Sequence, residues 1–570
     1  MFLSTGVFIK RRTFVLSTVL SSFILSACND WSGTSITHGK DNKPPVPADP
    51  YWDDAAVQKI IKDIRQPVFP TQDFSITHYG AQSGGTDDCL SAFTAAIQAC
   101  HDAGGGRVVV PSGTWLVNGP ITLLSNVNLY LESADTVVLF GTDPAFYPTV
   151  LTHFEANPCY NYSPFLYAYQ ANNIAVTGLG TFDGQASKTA WWPWKGSTTY
   201  GNDPGSANPI ISGNQAAESD ALKNSADEQS YLPWSERVLG YTPAFGPNAN
   251  TGKMSFLRPN FVGFWGCKAV LIEGVTFTRS PMWIVAPVLC TDVTVRGVTV
   301  ESLGTNNDGC DPVCCSGVLI DGCTFNTGDD CIAIKSGRGG DGFNFSPDGT
   351  GGPRPSYNIV IQNCKMAEGH GGVTLGSEIS GGVYNVYAQN ITMSSTNLYA
   401  ALRLKSNSGI GGYIRNIYMR NINVPAGTST ANNLYGALLL DGNYNGYASP
   451  QQNSGGTRNY EMRDIFVSGF QCGPSNAPIF INIYAPDLAA ASSAPGENCI
   501  IKDINVRHSS FGTTARDPAG VAAVVYNLGV QSGKAGTPQL SAPEPELAGL
   551  QAPTLIDVTV NGSDQSTATA

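Results

Sequence analysis

Two adjacent carboxylates, Asp329 and Asp330, stand at the head of the stretch NTGDDCIAIKSG. In a regular strand, Asp330 would lie on the same face as the apolar Ile332 and Ile334 that follow it. A regular strand would therefore bury one of the two acids, whereas a bend or bulge at Gly328 would aim both at one surface. Neighbouring carboxylates of this kind suit general acid and general base chemistry. A Gly-Asp-Asp surface turn is the other interpretation of this stretch alone.

Three further motifs carry groups that could act with this pair. NNDGCDP lies one repeat upstream and supplies Asn306 and Asp308, EGHGG lies one repeat downstream and supplies His370, and ALRLKS supplies Arg403 and Lys405. In RLK the two cations share one strand face about 7 Å apart, which suits the carboxylate of a sugar. Each motif alone is also typical of a turn, a satisfied histidine or a solvated strand face.

The elements that must position these motifs are visible as an internal repeat. Each copy has two short alternating strands around a Gly or Asn corner. The copies begin at Lys268, Thr291, Ser316, Tyr357, Tyr384 and Arg415, with weaker copies at Arg463 and Lys502. A return after about 25 residues or more predicts an all-β solenoid, a parallel β-helix, whose equivalent corners stack along one face. Motifs from distant segments can thus converge on that face.

Composition supports strands and turns and limits the partners. The chain has 570 residues, 42% of them hydrophobic and 13% charged, with 63 Gly and 36 Pro. That charged fraction is well below the average of about 25%. A formal net charge of -12 argues against nucleic acid, whose binding depends on neutralising phosphates. An acidic polymer as substrate would need a local basic patch.

The N-terminus predicts export. Basic residues precede the apolar run TFVLSTVLSSFILSA, which is short for a membrane span and suits a signal peptide over residues 1–27. LSAC resembles a bacterial lipobox, so Cys28 is expected to carry a lipid and to begin a polar tether over residues 28–50; simple cleavage nearby is the alternative. The expected location is the periplasm, the outer membrane or the medium, with membrane contact only through this anchor. A catalytic domain, expected to be monomeric, would occupy residues 51–570, with an inserted loop at about 196–255 and a C-terminal loop at about 531–553.

The cysteine pattern predicts neither a metal site nor a complete set of disulfides. Of fourteen Cys, thirteen remain if Cys28 is lipidated, so at least one is unpaired within the chain. Five crowd residues 310–331, but they lack paired CxxC spacing and sit in apolar runs, where free Cys packs as a small hydrophobe. We therefore expect no metal and no cofactor.

Taken together and in order, the four motifs resemble those of glycoside hydrolase family 28, the polygalacturonases, whose signatures are Asn-x-Asp, Gly-Asp-Asp, Gly-His-Gly and Arg-x-Lys. The resemblance covers nearly the whole mature chain, and NNDGCDP, HGGVTLGSEISGGV and LRLKSNSGIGGY are most similar to bacterial exo-polygalacturonases. It implies a right-handed, single-stranded parallel β-helix of the pectin lyase type with an N-terminal capping helix. It also implies hydrolysis of the α-1,4-galacturonosidic bonds of polygalacturonate in pectin, with inversion and from chain ends.

The resemblance also implies roles for single residues. Asp329 would be the general acid, Asp308 with Asp330 would activate water, and His370 would tune the acid. The implied substrate-binding residues are Arg403, Lys405, Asn306 and Lys335. Three acids in one cleft should raise the pKa of one, which then stays protonated. Carboxyl groups about 6.5 to 9.5 Å apart, supplied by adjacent coils, would leave room for the water.

Two departures from the family pattern leave the substrate less defined than the reaction. Ala286 stands where bacterial relatives often carry His, and Gly409 and Ile410 stand where close exo-enzymes carry basic residues. Rhamnogalacturonan or substituted galacturonan oligomers thus remain alternative substrates. A calcium-dependent pectate lyase with the three Asp as ligands, and a non-catalytic sugar-binding β-helix, are the rivals from other classes.

Overall fold

The computed structural model describes residues 50–202, 215–216, 254–255, 257–345, 351–394, 398–425, 436–444, 459–475, 477–483, 499–513, 523–527 and 550–568. All of these lie in one compact unit, Ala48–Ala570. The predicted signal peptide, Cys28 and nearly all of the tether lie outside the described residues, as do most of both predicted loops. Among the described residues, no helix is both long enough and apolar enough to cross a membrane. Export, lipidation and the monomeric state stay predictions.

Helices are few. The α-helices are α1 (Asp54–Asp63), α2 (Leu90–Asp102) and the short α3 (Gly340–Phe343), and the 3-10 helices are Ile76–Tyr79, Pro144–Phe146, Trp192–Lys195 and Thr198–Tyr200. Helix α1 begins at an N-cap, Asp53, whose side chain accepts a hydrogen bond from the Ala56 N–H. Helix α2 buries Phe93 and Ile97 against the first strands of the chain. That α2 caps the solenoid stays a prediction.

Short strands make up most of the described chain. The first group is β1 (Asp73–Ser75), β2 (Gly106–Val110), β3 (Gly113–Val117), β4 (Ile121–Thr122), β5 (Val127–Leu131), β6 (Thr136–Phe140), β7 (Thr149–Phe154), β8 (Asn157–Tyr162), β9 (Leu166–Tyr169), β10 (Asn172–Gly178) and β11 (Thr181–Asp183). The second is β12 (Gln215–Ala216), β13 (Met254–Ser255), β14 (Val262–Trp265), β15 (Lys268–Glu273), β16 (Thr276–Thr278), β17 (Thr291–Arg296), β18 (Thr299–Ser302), β19 (Ser316–Asp321), β20 (Thr324–Thr327), β21 (Ile332–Ile334), β22 (Ser356–Gln362) and β23 (Lys365–Glu368). The third is β24 (Gly371–Leu375), β25 (Val383–Met393), β26 (Ala400–Lys405), β27 (Gly412–Val424), β28 (Gly436–Asp441), β29 (Tyr460–Ser475), β30 (Ile479–Asn482), β31 (Ile500–Thr513), β32 (Val524–Asn527), β33 (Thr554–Val560) and β34 (Ser563–Asp564).

The predicted repeat copies align residue for residue. Lys268 pairs in parallel with Thr291, Thr291 with Ser316, and Ser316 with Tyr357. The same column continues through Tyr384, Arg415, Arg463 and Lys502. It also extends back by one coil to Asn172, a copy that the sequence pattern did not reveal. The predicted parallel β-helix is therefore confirmed.

The corners explain why the repeat needs Gly or Asn. At one corner, successive coils place Gly322, Asn363, Asn390 and Asn421 in the left-handed region, with φ between 54 and 65°. Gly and Asn reach this region at low cost. The Asn side chains also join the coils, because Nδ2 of Asn390 donates to Oδ1 of Asn363 and Nδ2 of Asn421 donates to Oδ1 of Asn390, both at 3.3 Å.

Inside the coils, apolar side chains of consecutive turns stack into one long core. Val293, Val318, Ile359 and Val386, for example, pair along one column and are fully buried. The thirteen cysteines of the described residues are all buried, as expected of Cys that packs as a small hydrophobe.

A second parallel sheet, named here the site sheet, consists of β21, β24, β26, β28, β30 and β32 in that order. The predicted functional motifs lie on it or just before its strands. Asp330 precedes β21 by two residues, His370 directly precedes β24, and β26 contains Arg403 and Lys405.

Candidate active site

Adjacent coils bring the motifs together. The Gly309 N–H donates to the carbonyl oxygen of Asp330 at 3.0 Å, which places Asp308 beside Asp330 on the neighbouring coil. On the next coils, Ile332 pairs with Val373 and Thr374 pairs with Arg403. Since neighbouring strands lie about 4.8 Å apart, groups from four successive coils meet in one small region.

The three aspartates form a single cluster. One carboxylate oxygen from each of Asp308, Asp329 and Asp330 lies within 4.8 Å of the others. Asp330 exposes only 1% of its side chain and Asp329 exposes 24%, so one acid of the pair is buried, as strand parity predicts. Gly328 allows close packing between two coils, which is a different role from the predicted bend or bulge. A Cβ at this position would overlap the carbonyl oxygen of Gly304 on the preceding coil.

The expected separation of the acids, about 6.5 to 9.5 Å between carboxyl groups as in inverting glycosidases, stays a prediction. The 4.8 Å limit describes single oxygens, one from each carboxyl group, and not the separation of the groups themselves.

Asp330 is bound by the two cations of the RLK motif. Nζ of Lys405 donates to Oδ2 at 2.7 Å and Nη1 of Arg403 donates to Oδ1 at 3.3 Å. Burial alone would raise the pKa of Asp330, but Lys405 and Arg403 outweigh it and hold the pKa well below the ordinary value. Arg403 and Lys405 were expected to bind the carboxylate of a sugar. In the structure both bind Asp330, and only 11% of the Arg403 side chain and 6% of the Lys405 side chain are exposed.

Asp308 is the acid whose pKa is raised. Burial is the main cause, and the nearby Asp311 and Asp329 add to it. Oδ1 of Asp308 is buried without a hydrogen-bond partner. Burial, with added repulsion from the neighbouring acids, thus raises the pKa of Asp308 and not that of Asp329, to which the sequence analysis assigned the role of acid. Asp308 is more buried, and the cations contact Asp330.

Asp329 forms a pair with His370. Nδ1 of His370 lies 3.3 Å from Oδ1 of Asp329, and the His370 ring stacks on Tyr399 with centroids 4.7 Å apart. Burial would raise the pKa of Asp329, but the hydrogen bond from His370 lowers it below 3.8. Burial would lower the pKa of His370, but Asp329 raises it above 6.5. The pair therefore holds one proton at near-neutral pH, mainly on His370.

The other two predicted substrate-binding residues have different surroundings. Nδ2 of Asn306 is 3.5 Å from Oδ2 of Asp329, so Asn306 lies at the cluster. Lys335 is buried: its Nζ lies 3.1 Å from Oε2 of Glu378, 3.8 Å from Oδ2 of Asp311, and 4.4 Å from the ring centroid of Trp283. Only 4% of the Lys335 side chain is exposed, so Lys335 acts on the site through its buried contacts with Asp311 and Glu378. Nothing in this arrangement favours the predicted contact between Lys335 and substrate.

Sequence reasoning missed several residues at the site. Tyr444 lies against both cations, 5.5 Å from the Arg403 guanidinium and 5.1 Å from Lys405 Nζ, measured to its ring centroid. Tyr399 also lies near Arg403, at 5.6 Å. Burial raises the pKa of Asp311 to about 8. Asp311 lies within the NNDGCDP motif, so the sequence alone could have identified it as a site residue. Nothing local marked Tyr444 or Glu378, because only the stacking of coils brings them here.

The three carboxylates could either bind a metal ion or act as acid and base in the hydrolysis of a glycosidic bond. Asp308, Asp329 and Asp330 are the one group among the described residues with geometry to hold a metal ion. However, Lys405 and Arg403 already neutralise Asp330. A cleft with paired carboxylic acids, a histidine and two cations on a parallel β-helix has the make-up of the glycosidase class.

Comparisons with known proteins agree with this class. Glycosyl hydrolases family 28 matches residues 244–512. A probable polygalacturonase of Vitis vinifera is 25% identical over 390 residues, 66% of this chain and 64% of that protein. An exo-poly-alpha-D-galacturonosidase of Dickeya chrysanthemi is 28% identical over 357 residues, 61% of this chain and 54% of that protein. The match thus spans less than two thirds of the length of either relative.

A solved structure shows the same fold. The hyperthermoactive exopolygalacturonase of Thermotoga maritima superposes with a TM-score of 0.65 at 29% identity, over 89% of this chain and 96% of that one. The right-handed β-helix predicted from the sequence is thereby confirmed. Residues 244–512 match the model of glycosyl hydrolases family 28, the family that the four motifs resemble.

Proposed function

We propose that the chain hydrolyses the α-1,4-galacturonosidic bonds of polygalacturonate. The observation that carries this proposal is the cluster of Asp308, Asp329 and Asp330, flanked by His370 on one side and by Arg403 and Lys405 on the other. The similarity to family 28 and to two exo-acting enzymes supports the substrate class. Rhamnogalacturonan and substituted galacturonan oligomers remain the alternative substrates.

Asp329 is the proposed general acid, because it is the most exposed of the three carboxyl groups and lies beside a proton source. In the free protein that proton resides mainly on His370. A bound galacturonate carboxylate would add a negative charge next to Asp329 and raise its pKa. Asp329 would then take up the proton and pass it to the leaving oxygen.

Asp308 and Asp330 are proposed to hold and activate the water. Both oxygens of Asp330 are bound to cations and its side chain is almost fully buried, which makes it a poor nucleophile toward a sugar carbon. A water molecule is smaller than a sugar ring and can reach such a carboxylate. We therefore propose inversion.

An exo mode is supported by the exo-acting relatives and by a hairpin that packs on the solenoid. Strands β7 and β8 pair in antiparallel fashion, and Phe154 at the end of β7 packs in a buried cluster with Trp283 and Phe345. Glu155, in the turn, lies 3.6 Å from Arg338. The hairpin thus contacts residues that lie both before and after Asp308 in the chain. We propose that it closes one end of the groove, so that only chain termini enter.

The experiment that tests the proposal is digestion of de-esterified polygalacturonate with analysis of the products. We expect mono- or digalacturonate as the early product, a slow fall in viscosity, and β-configured reducing ends in the first turnover by NMR. Rhamnogalacturonan and highly methyl-esterified pectin serve as comparison substrates. Preference for either would move the assignment to the alternative substrates, and α-configured first products would contradict inversion.

The same digestion separates hydrolysis from elimination. A hydrolase product has no ultraviolet absorbance from an unsaturated uronate, and activity should be unchanged by EDTA, since the proposed steps use carboxylates alone. Absorbing products, with activity lost to EDTA and restored by calcium, would establish a lyase. A rapid fall in viscosity with a ladder of oligomers would contradict the exo mode alone.

The Asp329 and His370 pair predicts a basic limit to activity. The raised pKa of His370 means that its proton, and the stability that the proton contributes, are present below 6.5 and are lost as pH rises through the folded value. The lowered pKa of Asp329 means that its contribution is present above 3.8 and is lost as pH falls through the folded value. We expect kcat/KM to fall about tenfold per pH unit above the His370 pKa. A His370→Asn variant should lack this limb, and an unchanged basic limb in that variant would exclude the role.

A further inference from the structure

Arg258 is one of the largest fully buried side chains, with 1% exposed. Its Nη1 donates to the carbonyl oxygens of Pro281 at 2.8 Å and Thr305 at 2.7 Å, and its Nη2 donates to Oδ1 of Asn306 at 3.0 Å. The guanidinium therefore joins two coils and ends at a residue that touches the acid cluster.

This contact fixes the orientation of the Asn306 amide. A guanidinium has donors only, so the oxygen of Asn306 has to face Arg258. Oγ1 of Thr305 lies 3.2 Å from the same oxygen and donates to it as well. The Asn306 NH₂ group is thereby turned toward Asp329, with Nδ2 3.5 Å from Oδ2.

The two oxygens of Asp329 have different partners. Oδ1 accepts from the Asp330 N–H at 3.0 Å and lies 3.3 Å from Nδ1 of His370. Oδ2 faces the Asn306 amide. Oδ2 is therefore the oxygen from which a proton can pass to a substrate, and the amide is placed to stabilise the negative charge left behind.

We propose that Arg258 is a positioning residue for the catalytic acid, acting through the orientation of the Asn306 amide toward Asp329. The inference rests on the proposed function. As the glycosidic C–O bond breaks, its electron pair stays on the leaving oxygen, which takes the proton from Oδ2. The water oxygen bonds to the anomeric carbon and gives one proton to the ionised carboxylate of Asp330, which Arg403 and Lys405 contact. The hydrogen bond from Asn306 strengthens as Oδ2 becomes negative, so it stabilises the transition state.

Several charged or titratable groups also face Asp329 and set the background for a pH test. They are Asp308, Asp330, His370, Arg403, Lys405 and Tyr444. None of these is altered by substitutions at Arg258 or Asn306. Arg258→Met adds no titratable group, so a change in its pH profile reports the loss of Arg258, whereas Asn306→Asp also adds a carboxylate beside Asp329.

The experiment compares Asn306→Asp, Arg258→Met and Arg258→Lys with the wild-type chain on polygalacturonate. Asn306→Asp keeps an acceptor for Arg258 but removes the donor to Asp329. We expect kcat to fall about tenfold with KM nearly unchanged. The basic limb of kcat should move up by about one pH unit, because the general acid must carry its proton, and the anionic form of Asp329 loses a stabilising donor and gains a neighbouring carboxylate. Arg258→Met should shift the limb in the same direction, Arg258→Lys should shift it less, and the double variant should lose no more than either single variant.

The matched control is Arg279→Met, which removes a half-exposed Arg that pairs with Asp183 on an earlier coil and does not contact Asn306. Its pH profile should match the wild type. If Arg258→Met does not fold, the kcat values and pH profiles of Asn306→Asp and Arg258→Lys decide whether the inference holds. Wild-type kcat and pH profile in Asn306→Asp, or in a folded Arg258→Met, would overturn the inference. A wild-type chain inactive on polygalacturonate would instead overturn the proposed function, and the inference with it.

Discussion

Asp329→Asn is expected to lower kcat on polygalacturonate by about 10²- to 10⁴-fold while leaving the fold intact. Asparagine has the same shape as aspartate and can still accept a hydrogen bond from His370, but it has no proton to give to the leaving oxygen. Asp329 exposes 24% of its side chain and is not part of the buried ion pairs, so the change should cost little stability. Steady-state kinetics and thermal unfolding of the same preparations measure both quantities.

The control for this variant is Asp135→Asn, the same chemical change at an exposed turn residue far from the cluster in sequence. It should retain the wild-type rate. The acid assignment would be wrong if a folded Asp329→Asn protein kept more than half of the wild-type kcat. In that case Asp308, whose pKa is raised mainly by burial, would become the candidate acid.

Lys405→Met is expected to destabilise the protein by about 3 to 5 kcal/mol, because it leaves the buried Asp330 carboxylate without its nearest cation. Lys405 and Asp330 expose only 6% and 1% of their side chains, and Nζ lies 2.7 Å from Oδ2. The resemblance implied a substrate-binding role for this lysine, whereas its burial against Asp330 leads us to expect a large effect on stability. Chemical denaturation monitored by tryptophan fluorescence gives the change in unfolding midpoint.

Two controls make the result specific. Lys59→Met removes the lysine of an exposed pair in α1, where Lys59 and Asp63 expose 74% and 59% of their side chains, and such pairs contribute about 0.3 to 0.5 kcal/mol. The double variant Lys405→Met with Asp330→Asn removes both charges and should recover much of the stability but none of the activity. Equal, small losses from Lys405→Met and Lys59→Met would show that the buried pair is not a stabilising contact.

The fold was largely predictable because a solenoid repeats a local rule. Each copy beginning at Lys268, Thr291 or Ser316 has its own apolar alternation and its own Gly or Asn corner, so its register is visible without knowing its neighbours. The copy at Asn172 was missed, because the segment that separates it from Lys268 interrupts the period. The four motifs were found for the same reason: each is a short, contiguous string.

The sequence by itself determined which coils carry Asp308, Asp329, His370 and Arg403, and that stacking would bring them to one face. Only the tertiary structure decided what each group binds. Strand spacing, absent from any single motif, places the acids within 4.8 Å of one another, and burial decides that Arg403 and Lys405 neutralise Asp330 instead of standing free. The pKa directions follow from those contacts, because the energy of a charge depends on its nearest partners and on its access to water, and both are set by residues distant in the chain.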